Sequence, residues 1–178
     1  IIKKLWTQKK SSYEGNHFTI TDAICEPKPI QKPHPPIVIG GSGEELTLKV
    51  TAQQANRFDW GYLSSVDEYL HKLKVLENHC TQVGRSLDEI EKSCWPAGQI
   101  FIRTTKADLN QQVSKWLPEG TSLDEFKQTS FVGTPEEFMR ILKKYMDLGV
   151  NHFMLFFGDL PDLTGLQVFA QKIVQMMN

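Results

Sequence analysis

The stretch "GGSGEE", residues 40–45, follows the apolar run Ile37, Val38, Ile39 and precedes a segment that reads as a helix. A strand, a glycine-rich bend and a helix start are a recurrent way to hold phosphate. First-turn N–H groups have no partner inside the helix, and the helix dipole favours negative charge there. Glycine, at Gly40, Gly41 and Gly43, admits positive φ and lets an anion approach the backbone. Ser42 adds a hydroxyl donor; Glu44 and Glu45 suit the dipole but would repel a phosphate they pointed at. No Lys-Ser/Thr ending marks a P-loop, and Leu46 stands where the dinucleotide fingerprint needs its third glycine. The residues alone leave two readings open, a phosphate cradle and a plain strand-to-helix turn.

Other candidates are scattered. Asp59 falls near the C-terminal end of a strand, where barrel chemistry sits, and Arg103 ends another strand, where it could meet a phosphate or carboxylate. Each reads equally as a site residue or as half of a structural ion pair. Trp60 could stack on a ring, whereas Trp6, Trp95 and Trp116 read as packing residues. His34 reads as a solvated loop residue, His152 as a structural histidine, and His71 and His79 as surface residues of a long helix. No Ser-His-Asp, paired-carboxylate or metal-ligand spacing emerges. That silence fits an enzyme whose chemistry belongs to a bound cofactor, and it fits a non-enzyme equally well.

The elements that must position these residues alternate. Ile37–Ile39 is a short β-branched strand without alternation, as in a parallel sheet covered on both faces. A helix follows through Leu46, Leu48, Val50, Ala52 and Ala55, then a second strand, "RFDWGYL". Ser65 to Val83 carries an apolar stripe, a Ser65/Glu68 cap and a Gly84 stop. Ser86 and Glu89 open a short helical turn, "CWPAGQIFIRT" reads as a third strand, and Lys106–Trp116 as a helix. Thr134, Pro135 and Glu137 start another helix, whose stripe is Phe138, Ile141, Leu142, Tyr145 and Met146. "VNHFMLFF" is a fourth strand and Leu166–Met177 a final helix. Four strand-helix units are an α/β chain with a parallel sheet. They are too few for a closed eight-stranded barrel of roughly 250 residues, but enough for a small open sheet or half a barrel.

Residues 1–36 read differently: a helix end, a hairpin over "HFTITDAI" and a proline-rich connector, with residues 37–178 as the α/β part. Ile1, Ile2, Leu5 and Trp6 share one helix face with no cap before them, like the last turns of a helix begun elsewhere. The 178-residue chain is 40% hydrophobic with a net charge of −1, so no global field recruits nucleic acid or an anionic membrane. No apolar run approaches bilayer length. Three cysteines, Cys25, Cys80 and Cys94, lack metal spacing, and a reduced cytoplasm is the expected compartment.

Three longer segments, "PKPIQKPHPPIVIGGSGEELTLKV", "VLENHCTQVGRSLDEIEKS" and "FVGTPEEFMRILKKYMDLGVNHFMLFF", resemble successive parts of the luciferase-like monooxygenases, in the family's order and over almost the whole chain. They look closest to the flavin- or deazaflavin-dependent oxidoreductases, the deazaflavin branch slightly preferred. The resemblance implies a (β/α)8 TIM barrel of which this chain is about the second half. It implies FMN or the 8-hydroxy-5-deazaflavin coenzyme, its phosphate on the backbone of Gly40, Gly41, Ser42, Gly43 and Glu44, and a small organic substrate. Asp59, Trp60 and Arg103 are the candidate ring or substrate contacts. Family members commonly carry "YADGW" where this chain has "QANRFDWGYL". Two functional expectations follow: an oxidoreductase or monooxygenase, or a non-catalytic half-barrel that binds a flavin phosphate weakly. Either would pair with a missing N-terminal half or form a homodimer.

Overall fold

The computed structural model describes residues 1–62 and 65–177, with Leu63, the last residue of the expected "RFDWGYL" strand, outside them. The chain divides into two compact units, Ile1–Ile37 and Val38–Asn178.

The first unit holds α1 (Ile2–Thr7) and an antiparallel hairpin of β1 (Ser11–Glu14) and β2 (Thr19–Ala23). Gly15 N–H donates to the Phe18 carbonyl at 3.1 Å to close the hairpin turn. The Lys28 ammonium donates to the carbonyls of Leu5 and Cys25, at 3.0 and 2.8 Å, and so ties the connector to α1. His34 lies in that connector, its Nδ1 2.8 Å from the Pro35 carbonyl.

The second unit opens with β3 (Val38–Gly40), α2 (Thr47–Gln54), β4 (Arg57–Tyr62) and α3 (Val66–Gln82). A single 3-10 turn at Leu87–Glu89 then leads into β5 (Glu91–Trp95), β6 (Gln99–Ile102) and α4 (Lys106–Trp116). Next come α5 (Leu123–Thr129), β7 (Ser130–Gly133), α6 (Pro135–Met146), β8 (Val150–Phe153) and β9 (Phe156–Phe157). The chain ends in α7 (Thr164–Val168), a π-helical segment Phe169–Ile173 and α8 (Val174–Met177), so the expected final helix begins two residues early and is interrupted.

Helix boundaries follow their caps. Ser65, Thr105, Ser122 and Thr134 each accept from the backbone N–H three residues on, and Ser122 and Thr134 complete reciprocal capping boxes with Glu125 and Glu137. In α2 the buried side chains are Leu48, Thr51 and Ala52, while Val50 is exposed and Leu46, expected within this helix, is its exposed N-cap.

Two parallel sheets result. One has the order β3-β4-β5-β8, with Gly40 opposite Asp59 and Asp59 opposite Ser93. The other has the order β7-β6-β9. The expected third strand "CWPAGQIFIRT" is thus two strands. Pro96 has no N–H for a ladder, and Gly98 passes so close to α5 that a Cβ on it would lie 2.0 Å from the Thr129 carbonyl oxygen. "VNHFMLFF" divides in the same way at Met154 and Leu155.

Apolar burial organises the layers. Phe58, Trp60 and Cys94 of the first sheet pack with Leu48, Tyr69, Leu73, Leu76 and Tyr145 from α2, α3 and α6. Strand β6 is covered on both faces. Ile100 and Ile102 meet Phe138, Leu142 and Ile173, while Phe101 on the other side meets Leu109, Val113 and Phe126. Each such side chain contributes about 1.5–3 kcal/mol when fully buried.

Candidate functional site

The glycine turn leaves the first sheet at the C-terminal end of β3, the end where ligands bind in α/β barrels and open sheets. Gly41 N–H donates to the Asp59 carbonyl at 2.8 Å, which anchors the turn to β4. Gly41 has φ +119°, a conformation closed to ordinary side chains. A Cβ on Gly43 would sit 3.0 Å from Thr47 Oγ1. Among the described residues, no backbone carbonyl accepts from the N–H groups of Ser42, Gly43, Glu44, Glu45 or Leu46. The bend before α2 therefore carries N–H groups without a backbone acceptor among the described residues, while inside α2 Leu48 N–H already donates to the Gly43 carbonyl at 3.0 Å. Free donors in the bend suit an anion held by backbone.

Glu44 and α3 supply what the sequence did not disclose. The Glu44 carboxylate accepts from Lys72 Nζ at 2.6 Å and lies 3.0 Å from His71 Nε2, and the Glu44 carbonyl lies 2.8 Å from His79 Nε2. The Lys72 hydrogen bond, ahead of the weaker His71 contact, holds the Glu44 carboxyl below its usual range. His71 and His79, expected to be surface residues without a role, both attach α3 to the glycine turn. Histidines eight apart could not announce this, because their partner is 27 to 35 residues away in sequence.

Asp59 and Trp60 lie on opposite faces of β4, as strand alternation requires. Trp60 is 5% exposed, 4.1 Å from the Phe58 ring and 5.6 Å edge-on from Tyr69, inside the core under α3. The Asp59 carboxylate has both oxygens engaged, by Ser93 Oγ at 2.5 Å and by Gly61 N–H at 2.6 Å. Read from sequence as near a strand's end, Asp59 lies within β4 and ties it to β5 at the paired residue Ser93. Arg103 is remote from this group and buried. Its guanidinium binds Asp159 at 2.8 Å and Asp162 at 3.0 Å, and Asp162 in turn accepts from Thr164 N–H at 2.9 Å. In this structure Arg103 is an ion-pair residue at the start of α7.

Trp95, read from sequence as packing, is half-buried and borders a cleft. With Gly98, Gln99, Pro118, Phe126 and Phe156 it lines an apolar cleft of about 580 Å³. Its indole N–H donates to Met154 Sδ at 3.1 Å. The cleft opens beyond β5, two strands from the glycine turn, a separation of roughly 10 Å at the usual strand spacing. Its lining holds no lysine or arginine, and its one carboxylate, Glu125, is committed to Ser122. Burial pushes the Cys94 thiol up to about 12 and raises that of Cys80, so neither supplies a thiolate near neutral pH. Among the described residues no group of His, Cys, Asp and Glu is arranged to hold a metal, and no helix is long and apolar enough to cross a membrane.

Residues 1–127 match the family model described as luciferase-like monooxygenase. Over 210 aligned residues the chain is 44% identical to an FMNH2-dependent dimethylsulfone monooxygenase of Pseudomonas putida, covering 99% of this chain and 55% of that protein. It is 26% identical to an F420-dependent glucose-6-phosphate dehydrogenase of Microbacterium testaceum, covering 98% of this chain and 57% of the relative. The chain thus spans somewhat more than half the length of these curated relatives. Among solved structures, a coenzyme F420-dependent tetrahydromethanopterin reductase from Methanopyrus kandleri superposes with a TM-score of 0.74 at 15% identity, over 99% of this chain and 61% of that one. A long-chain alkane monooxygenase gives 0.75 at 12% identity, over 98% and 53%. These likenesses show the fold, a (β/α)8 barrel family of which this chain forms a part.

Proposed function

Because this chain belongs to the luciferase-like monooxygenase family, we propose that it binds the phosphate of a flavin-type coenzyme on Gly40, Gly41, Ser42, Gly43 and Glu44. On this reading it is the coenzyme-binding part of an oxidoreductase. The observation that carries the proposal is the set of backbone N–H groups at residues 42–46 without a backbone acceptor among the described residues, at the C-terminal end of a parallel sheet. A reduced flavin, when bound, supplies hydride or activates dioxygen. The chain's own contribution is to hold the phosphate, to tie β4 to β5 through Asp59 and Ser93, and to present an apolar wall that excludes water.

Between the two coenzymes, reduced FMN is the better candidate. The 44% identity to an FMNH2-dependent enzyme exceeds the 26% to an F420-dependent one, which reverses the slight preference drawn from sequence words. The cleft beside Trp95 supports a substrate class too. A sugar phosphate calls for cations, and the lining offers none, so a small neutral molecule such as dimethyl sulfone suits it better.

The test is a fluorescence titration of the purified chain with FMN, riboflavin and the deazaflavin coenzyme. Saturable FMN binding that is tighter than riboflavin, and at least about tenfold weaker in Gly41→Asp, is the expected result. Equal affinity for FMN and riboflavin would overturn the phosphate assignment. Tighter deazaflavin binding would overturn the choice of FMN alone.

A further inference from the structure

We propose that Lys72, His71 and His79 of α3 are positioning residues for the coenzyme phosphate, acting through Glu44. The inference rests on the phosphate reading of the glycine turn and adds a second layer of residues to it.

A carboxylate two residues from the centre of an anion site is a liability. Glu44 follows Gly43 directly, its own N–H is one of the unspent donors, and a free carboxylate there could cap those donors itself or repel the phosphate. The structure removes both hazards. Lys72 neutralises the carboxylate at 2.6 Å and, with His71, draws it onto α3. Lys72 is only 14% exposed, so the ion pair is shielded from solvent on the α3 side.

His79 acts on the main chain. A carbonyl only accepts, so the donor at 2.8 Å is His79 Nε2–H, and Nδ1 is the buried nitrogen without a hydrogen-bond partner among the described residues. The Glu44 carbonyl and the Glu45 N–H belong to one planar peptide unit. Fixing the carbonyl therefore fixes the direction of a donor in the turn. Lys72 and His79 are seven residues apart, two helical turns on one face, about 10 Å along the axis. The Glu44 residue lies along that face, with its side chain at one end of the span and its carbonyl at the other.

The experiment compares FMN with riboflavin, which lacks the phosphate, in the full chain and in Lys72→Met, Glu44→Gln, His79→Leu and the Lys72→Met/Glu44→Gln double variant. Riboflavin affinity serves as the internal control for folding. Lys72→Met is expected to weaken FMN about tenfold with riboflavin unchanged, because it frees one partly exposed negative charge beside the anion. Glu44→Gln keeps the backbone N–H assigned to the phosphate and removes only the carboxylate, so the double variant should recover most of what Lys72→Met lost. His79→Leu should weaken FMN several-fold and speed hydrogen exchange at the Glu45 amide. A double variant as weak as Lys72→Met would mean that Lys72 meets the phosphate itself, and would overturn the proposal. So would unchanged FMN affinity in Lys72→Met. Equal FMN and riboflavin affinity in the unaltered chain would instead remove the phosphate site, and the role of α3 with it.

Discussion

Single residues shape both the glycine turn and the cleft, and glycine does so in two distinct ways. At Gly41 the limit is conformational, a φ of +119°. At Gly98 it is steric, since a Cβ would meet backbone, at 2.0 Å from the Thr129 carbonyl oxygen, rather than a side chain that could swing away. Gly98→Ala must therefore separate β6 from α5, and the expected loss is about 3 kcal/mol in urea denaturation, at the upper end of overpacking effects. The same variant should open the cleft that Gly98 lines. Asp59 and Arg103 show why residue type alone did not sort candidates. Both were legible as charged groups at strand ends, yet one ties neighbouring strands together and the other neutralises two carboxylates. Only the side-chain partners tell them apart, and those, Ser93 for one and Asp159 and Asp162 for the other, lie 34 or more residues away.

At the level of elements, local chemistry was readable and long-range pairing was not. Lys106–Trp116 has the bounds read from sequence, and Pro135–Met146 starts where Thr134, Pro135 and Glu137 place it. Helix α5 and strand β7 were missed although Ser122 and Glu125 form a capping box, because seven- and four-residue elements carry too little periodicity to stand out. The boxes have a pH signature. The Ser86 and Ser122 backbone N–H groups, before any side-chain contact, hold Glu89 and Glu125 below the usual carboxylate range. A folded-state pKa that is depressed adds stability above the unfolded value and loses it as pH falls through the folded one. Melting temperature should therefore fall as pH drops below about 4.5, the ordinary carboxylate value, and fall less in a Glu89→Gln/Glu125→Gln variant followed by circular dichroism. An equal fall in both proteins would show that the boxes do not contribute to acid lability.

For the molecule as a whole, β3 is a terminal strand of the first sheet among the described residues. Val38 on the terminal strand β3 is 52% exposed, and Phe156 and Met154 near the cleft are also uncovered. An open edge with apolar neighbours invites pairing with another chain, consistent with a chain that spans 55–57% of its relatives' length. The isolated chain should bind an apolar-surface dye and self-associate in sedimentation, and Val38→Lys should reduce both; a monodisperse, dye-silent monomer would refute this. The double division of two strands has a dynamic consequence as well. Residues 91–102 and 150–157 each run from the first sheet into the second, with Met154 N–H donating to the Cys94 carbonyl at the crossing. Neither sheet can fray past that crossing without pulling on the other, so the two behave as one cooperative unit rather than two. In native-state hydrogen exchange the amides of Cys94 and Phe153 should open with the same free energy as those of Phe101 and Gly158, a single slow class spanning both sheets.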